Sequence, residues 1–172
     1  MSRRYPPPEG AEEDARAIVM APGAGQTVQN PAGGPTTFKA RGEQTGGALS
    51  VWESVAAPDE GPPLHLHAGE DEFIYVLEGR LLFRLEEAVH EAPAGSFVFI
   101  PKGVPHTWRN AGDAPARLLF VFTPAAAGME RFFERSAELA DETRAADAFQ
   151  KFASDAGMEV LGSPPGRPDT AP

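Results

Sequence analysis

At 172 residues, with 25 acidic against 15 basic side chains, a formal net charge of −10 and no cysteine, the chain has room for one domain with arms. The acidic balance argues against a protein built to grip nucleic-acid phosphates or an anionic membrane surface, both of which need basic patches. The missing cysteine excludes disulfides, thiolate nucleophiles and cysteine–zinc clusters.

Glycine and proline number 18 each, about a fifth of the chain against roughly 12% on average, and they gather at the two ends. Residues 1–35 therefore read as a Pro/Gly-rich arm, largely disordered or draped, and residues 161–172 as a coil tail. The arginines of Met1-Ser2-Arg3-Arg4 have no apolar stretch behind them, unlike a signal peptide. Apolar runs such as Phe73–Leu77 are five residues long, and a membrane span needs roughly 18. The expectation is a cytoplasmic protein with neither membrane nor nucleic acid as partner.

Residues 36–124 carry short apolar runs between Gly/Pro punctuation. Ala48–Val55 alternates loosely, as a half-buried strand does. Phe73–Leu77 and Leu81–Leu85 flank Glu78-Gly79-Arg80, a hairpin whose glycine supplies the positive φ of the turn. Phe97–Ile100 follows a turn at Pro93–Gly95 and stops at Pro101, and Arg117–Phe122 stops at Pro124. Strands this short and this regularly spaced predict an all-β sandwich or barrel. After Gly128 the period changes: Met129, Phe132 and Phe133 stand at i, i+3 and i+4, and Phe149, Phe152 and Ala153 repeat the spacing. Residues 125–160 thus read as a helical extension of two short helices, with Gly157 as a stop, packed on the β domain, on a second subunit or over its mouth.

The four histidines are His65, His67, His90 and His106. His65 and His67, two apart on a strand, project to the same face. Glu72 follows after the turn-like Ala68–Asp71, and His106 after the rigid corner Pro101–Pro105. Three imidazoles and one carboxylate suit a borderline divalent metal and leave positions open for water or substrate. By strand parity Ile74 and Val76 share the face of Glu72, and Trp108 that of His106, so these three are the expected apolar pocket. Tyr75 opposes Glu72 and reads as packing; Glu70 and Asp71 as an acidic surface turn; His90, Lys102 and Arg109 as solvent-exposed; Asn110 and Gly112 as turn formers.

The stretch from His65 to Gly79, with its two histidines, glutamate and hairpin glycine, resembles the first signature of the cupin superfamily. Gly95–Asn110, with Pro101, Gly103 and His106, resembles the second. The lead-in Gly61-Pro62-Pro63-Leu64 departs from the family's usual glycine spacing without touching a ligand position. The resemblance implies a jelly-roll β-barrel, commonly a homodimer, with one divalent ion (Fe, Mn, Ni, Co, Cu or Zn) held by His65, His67, Glu72 and His106. The frame looks most like single-domain bacterial cupins related to quercetin 2,3-dioxygenases. On that likeness the expected activity is a dioxygenase acting on a hydrophobic chelating substrate, a flavonol or enol–ketone, with Glu72 as proton acceptor. Two other classes stay open: a metal-dependent isomerase, lyase or cyclase that uses no O2, and a non-catalytic small-molecule-binding cupin.

Overall fold

The computed structural model describes residues 17–30, 34–138 and 153–162. Two antiparallel sheets face each other. One runs β1 (Thr27–Gln29), β2 (Pro35–Ala40), β3 (Ser50–Ala56), β10 (Ala116–Thr123), β5 (Asp71–Glu78), β8 (Phe97–Ile100). The other runs β11 (Met158–Val160), β4 (His65–His67), β9 (His106–Asn110), β6 (Arg80–Leu85), β7 (Ala88–Pro93). The crossovers between sheets make a jelly roll of the all-β class. A 3₁₀ turn occupies Gly42–Gln44, and one helix, α1 (Ala127–Glu138), follows β10.

Alternation drives the assembly. In β3, Ser50, Trp52, Ser54 and Ala56 are buried while the residues between them are partly exposed; in β10, Ala116, Leu118, Phe120 and Phe122 do the same. A strand that buries every second side chain places one face on the facing sheet and leaves the other to solvent. Trp52, Phe83, Phe122, Ile74, Leu81, Ile100, Leu118 and Val76 are the large side chains at the centre. The expected hairpin is present: Gly79 turns β5 into β6 with φ of 90°, and a Cβ there would press on Ala116.

Strand β9 departs from alternation, with all five residues buried. Its outer face is covered by the segment 57–63. Thr107 donates to the Pro62 carbonyl (2.7 Å), Arg109 pairs with Asp59 (2.8 Å), and Asp59 N–H donates to Asn110 O (3.0 Å). Arg109, expected at the surface, is therefore 8% exposed. Parity placed it outward correctly, but a loop covers that side. Gly61 lies flat on this strand, and a Cβ there would run into the Trp108 carbonyl oxygen. The altered lead-in before His65 is thus a covering strap. Asn110 clamps its turn, donating to Ala56 O and Ala114 O and accepting from Gly112 N–H.

The helix expected from Met129, Phe132 and Phe133 is α1. Phe149 lies outside the described residues, as does Phe152; Ala153–Asp155 are helical and Gly157 ends the turn with φ of 81°. Residues 158–160, read within the helical extension, instead form β11 and pair with β4, Met158 opposite His67. Three residues carry too little periodicity to signal a strand. Within the arm, Thr27–Gln29 pairs with β2, and His90 sits on the exposed strand β7. No helix among the described residues is long and apolar enough to cross a membrane.

Because Gly61 touches backbone, which yields little, Gly61→Ala is expected to destabilise the fold by about 2 kcal/mol. Urea denaturation followed by tryptophan fluorescence measures this.

Candidate metal centre

Three strands deliver the four ligand candidates. His65 and His67 come from the three-residue strand β4, held between β11 on one side and β9 on the other. The register sets His65 directly opposite His106 of β9. Glu72 enters from the facing sheet, at the start of β5 beside Phe122 and Ile100. The main chain after the histidine strand is tied down by Gly103 N–H to His67 O (2.8 Å) and Ala68 N–H to Gly157 O (3.0 Å).

The four side chains converge in the interior. His65, His67, Glu72 and His106 are 4%, 3%, 3% and 1% exposed. One donor atom from each lies within 4.8 Å of all the others. The ring centroids of His65 and His106 are 4.3 Å apart, and those of His65 and His67 are 5.0 Å apart.

The donor chemistry fits a cation. His65 Nδ1 lies 2.8 Å from the Pro63 carbonyl and His106 Nδ1 2.9 Å from the Val104 carbonyl, each the carbonyl two residues back. A ring that donates Nδ1–H to a carbonyl has its Nε2 lone pair free for a metal. Glu72 Oε2 sits 2.8 Å from His106 Nε2 and 3.3 Å from His67 Nε2, yet Oε2 and His106 Nε2 meet no hydrogen-bond geometry. His67 Nδ1 is likewise buried without a partner, so the carbonyl device serves two of the three rings. Buried polar atoms left unpaired are costly. A divalent ion among the four groups would engage Glu72 Oε2 and His106 Nε2 together.

Electrostatics point the same way. Burial, reinforced by His106 and His67, lowers His65 to about 3, so its ring stays neutral. Burial pushes Glu72 up, but the His106 and His67 imidazoles beside it more than offset that and hold the carboxyl below the usual carboxylate range. Burial pulls His106 down, but the Glu72 carboxylate outweighs it and keeps the ring's affinity for a proton raised. The carboxylate beside it thus favours a proton on His106.

Beside the cluster lies a cavity of about 60 Å³. Its walls are Trp52, Phe120 and Phe122 from the first sheet, Trp108 from β9, Met129, Phe132 and Phe133 from α1, and Met158 from β11, with Asn30 and Ser54 adding polar atoms. Trp52 stacks on Phe122 (centroids 4.6 Å apart, 21° between planes), and Phe122 meets His67 edge to face at 5.1 Å. Of the three residues expected to line a pocket, Trp108 does. Ile74 and Val76 do not: both are fully buried in the core. Parity places a residue inside but does not tell how far along the strand the open space ends. The wall residues Trp52, Phe120 and Phe122 were legible by the same parity on β3 and β10. Met158 left no signal. Tyr75 is 41% exposed on the outer face, Asp71 accepts from Lys102 N–H (2.9 Å), and Lys102 is exposed.

With this geometry in place, known proteins can be compared. Residues 52–122 match the cupin domain family. Protein SchB of Streptomyces halstedii is 39% identical over 84 residues, covering 48% of this chain and 61% of that protein. Polyketide synthase CurC of Streptomyces cyaneus is 37% identical over 84 residues, 48% of this chain and 54% of the other. Quercetin 2,3-dioxygenase of Bacillus subtilis is 32% identical over 73 residues, 42% of this chain but 22% of the enzyme. The match thus spans little more than half the length of the two Streptomyces relatives. Among solved structures, a cupin from Shewanella frigidimarina superposes with a TM-score of 0.56 at 16% identity, covering 65% of this chain and 95% of that one. The polyketide cyclase RemF from Streptomyces resistomycificus superposes with 0.54 at 23% identity, covering 63% of this chain and 80% of that one. Residues 52–122 thus carry a cupin domain, and its jelly roll holds a buried histidine–glutamate cluster of the kind that can bind a metal.

Two expectations follow. His67→Ala, which removes one of four ligands, should lower the zinc or nickel content of dialysed protein at least tenfold, read by elemental analysis. Protons compete with the metal for the three imidazoles, so the rise in melting temperature on adding metal should be larger at pH 8 than at pH 5.5.

The metal-free protein gives a separate test. His65 in the unfolded chain titrates near 6.5, above its folded value of about 3. Below 6.5 the unfolded state takes up a proton that the folded ring refuses, so the contribution of His65 is complete above 6.5 and shrinks as pH falls toward 3. Melting in the presence of chelator should show wild type losing stability relative to His65→Gln as pH drops from 7 to 4.5.

Proposed function

We propose that this protein is a metal-dependent cupin enzyme of the cyclase or isomerase type, acting without O2 on a hydrophobic, chelating enol–ketone of the polyketide kind. The observation that carries this reading is a carboxylate, Glu72, buried at the edge of an aromatic-walled cavity and held ionised by imidazoles. The likeness to CurC, a polyketide synthase protein by name, supports the substrate class. The dioxygenase activity expected from the sequence has the thinner support, a likeness confined to a fifth of the quercetin enzyme.

His65, His67, Glu72 and His106 would hold the ion, which, when bound, supplies Lewis-acid chemistry that acidifies an adjacent enol or C–H. The chain's own groups do the rest. The Trp52–Phe122 stack offers a flat apolar face on which a conjugated substrate lies with its oxygens toward the histidines. The aromatic walls exclude water, which strengthens every charge interaction inside. The Glu72 carboxylate, once loosened from the ion, accepts the substrate proton and returns it to another carbon or oxygen, the proton transfer that an aldol-type ring closure or enol shift requires. His65, neutral throughout, adds no competing charge. A homodimer belongs to the same reading. Phe132 and Phe133 are buried in their own chain, so the surface for it is the exposed outer face of β5 and β8, with Tyr75, Phe97 and Phe99.

The test is turnover of a linear β-triketone by zinc-loaded protein in an anaerobic chamber. Product should form at the aerobic rate, and Glu72→Gln should lower kcat about 100-fold while retaining tryptophan quenching by substrate. Turnover that stops without O2 and consumes it stoichiometrically would move the protein to the dioxygenases.

A further inference from the structure

The wall of the cavity beside the ligand candidates is mostly apolar or aromatic. Apart from His65, His67 and Glu72, its described residues include one hydroxyl, that of Ser54, and one side-chain amide, that of Asn30. Sheet register sets where they stand. Glu72 of β5 lies opposite Phe122 of β10, and Phe122 opposite Ser50 of β3. Ser54 is four residues further along β3 on the same inward face, opposite Leu118 on one side and Thr36 on the other. At about 3.4 Å per residue, it stands roughly 13 Å along the sheet from the level of Glu72. Trp52 and Phe120, opposite each other, occupy the level between. Asn30 follows Gln29, which pairs with Pro35, and so belongs to the Ser54 end. The cavity thus has a metal-ligand end, an aromatic middle and a hydroxyl end.

Ser54 is 6% exposed, and its Oγ lies 2.8 Å from Thr36 Oγ1. A hydroxyl has one hydrogen to donate and two lone pairs to accept with. Whichever of the two donates, the single bond leaves Ser54 with capacity for another. Of the pair, Ser54 lines the cavity, while Thr36 is wholly enclosed. The backbone ladder already joins β2 to β3. A few polar groups placed in an otherwise apolar pocket are what orient a ligand there.

We propose that Ser54 is a positioning residue: its hydroxyl bonds an oxygen at the end of the substrate remote from the chelating pair. The substrate class then narrows to chelating enol–ketones that carry a further oxygen at that end. The inference rests on the proposed function in taking the ligand to be a chelating enol–ketone.

The test uses the full chain loaded with cobalt and two chelators that differ by one oxygen, benzoylacetone and its para-hydroxy counterpart. Both offer the same chelating pair, and only the second carries a hydroxyl across the ring from it. Binding is titrated by cobalt absorption and by quenching of Trp52 and Trp108, which both line the cavity. In wild type the hydroxylated chelator should bind about fivefold more tightly. Ser54→Ala should abolish that preference and leave benzoylacetone within twofold. Thr36→Val, which removes the internal partner but not the Ser54 hydroxyl, should keep it. A merely structural Ser54 would shift both chelators together. Equal affinities in wild type overturn the proposal whether or not any variant folds, and so does a preference that survives Ser54→Ala. Cobalt spectra untouched by either chelator would overturn the proposal and the proposed function together. Affinities as expected, with no turnover of the linear triketone, would sink the proposed function alone.

Discussion

Everything in this fold is arranged around one unfavourable act, the burial of three imidazoles and a carboxylate inside an apolar jelly roll. Water cannot satisfy them there, and their own geometry leaves Glu72 Oε2, His106 Nε2 and His67 Nδ1 without hydrogen bonds. Such a cluster persists only where a cation, or a proton in its place, balances it. The surrounding structure shows how the cost is contained. Two carbonyls, of Pro63 and Val104, hold rings by their Nδ1 atoms, and the strands bearing the rings are braced on both sides.

That bracing explains features that are otherwise odd. Strand β4 is three residues long and would fray alone; β11 and β9 flank it. Strand β9 buries both its faces because the strap 57–63 lies on the outer one, through Thr107, Arg109 and Gly61. A histidine cluster stiffened from behind in this way keeps its nitrogens aimed in the absence of ligand, which is what a site for a single ion requires.

The cavity side obeys a different rule. It is apolar and aromatic, walled by side chains of both sheets and by Met129, Phe132 and Phe133 of α1, which are themselves packed into the core. Polar ligand candidates on strands and apolar walls from strands and helix divide the labour between holding an ion and shaping the space beside it.

That the four ligand candidates gather at one place was legible from sequence because strand parity is local. Two histidines at i and i+2 must share a face, and the glycines and prolines around Glu72 and His106 mark turns whatever the rest of the chain does. The jelly-roll class and α1 were legible for the same reason, through periods of 2 and 3.6. Depth and partnership were not. Ile74, Val76 and Trp108 all point inward, yet only Trp108 meets open space, since that depends on side chains brought in from other segments. Arg109 is covered by a loop 50 residues before it, and Met158–Val160 becomes a strand only because β4 offers an edge. The sequence by itself determined which residues are able to bind a metal; the tertiary structure decided what walls the space beside it, because a cavity is set by where distant segments stop filling the core.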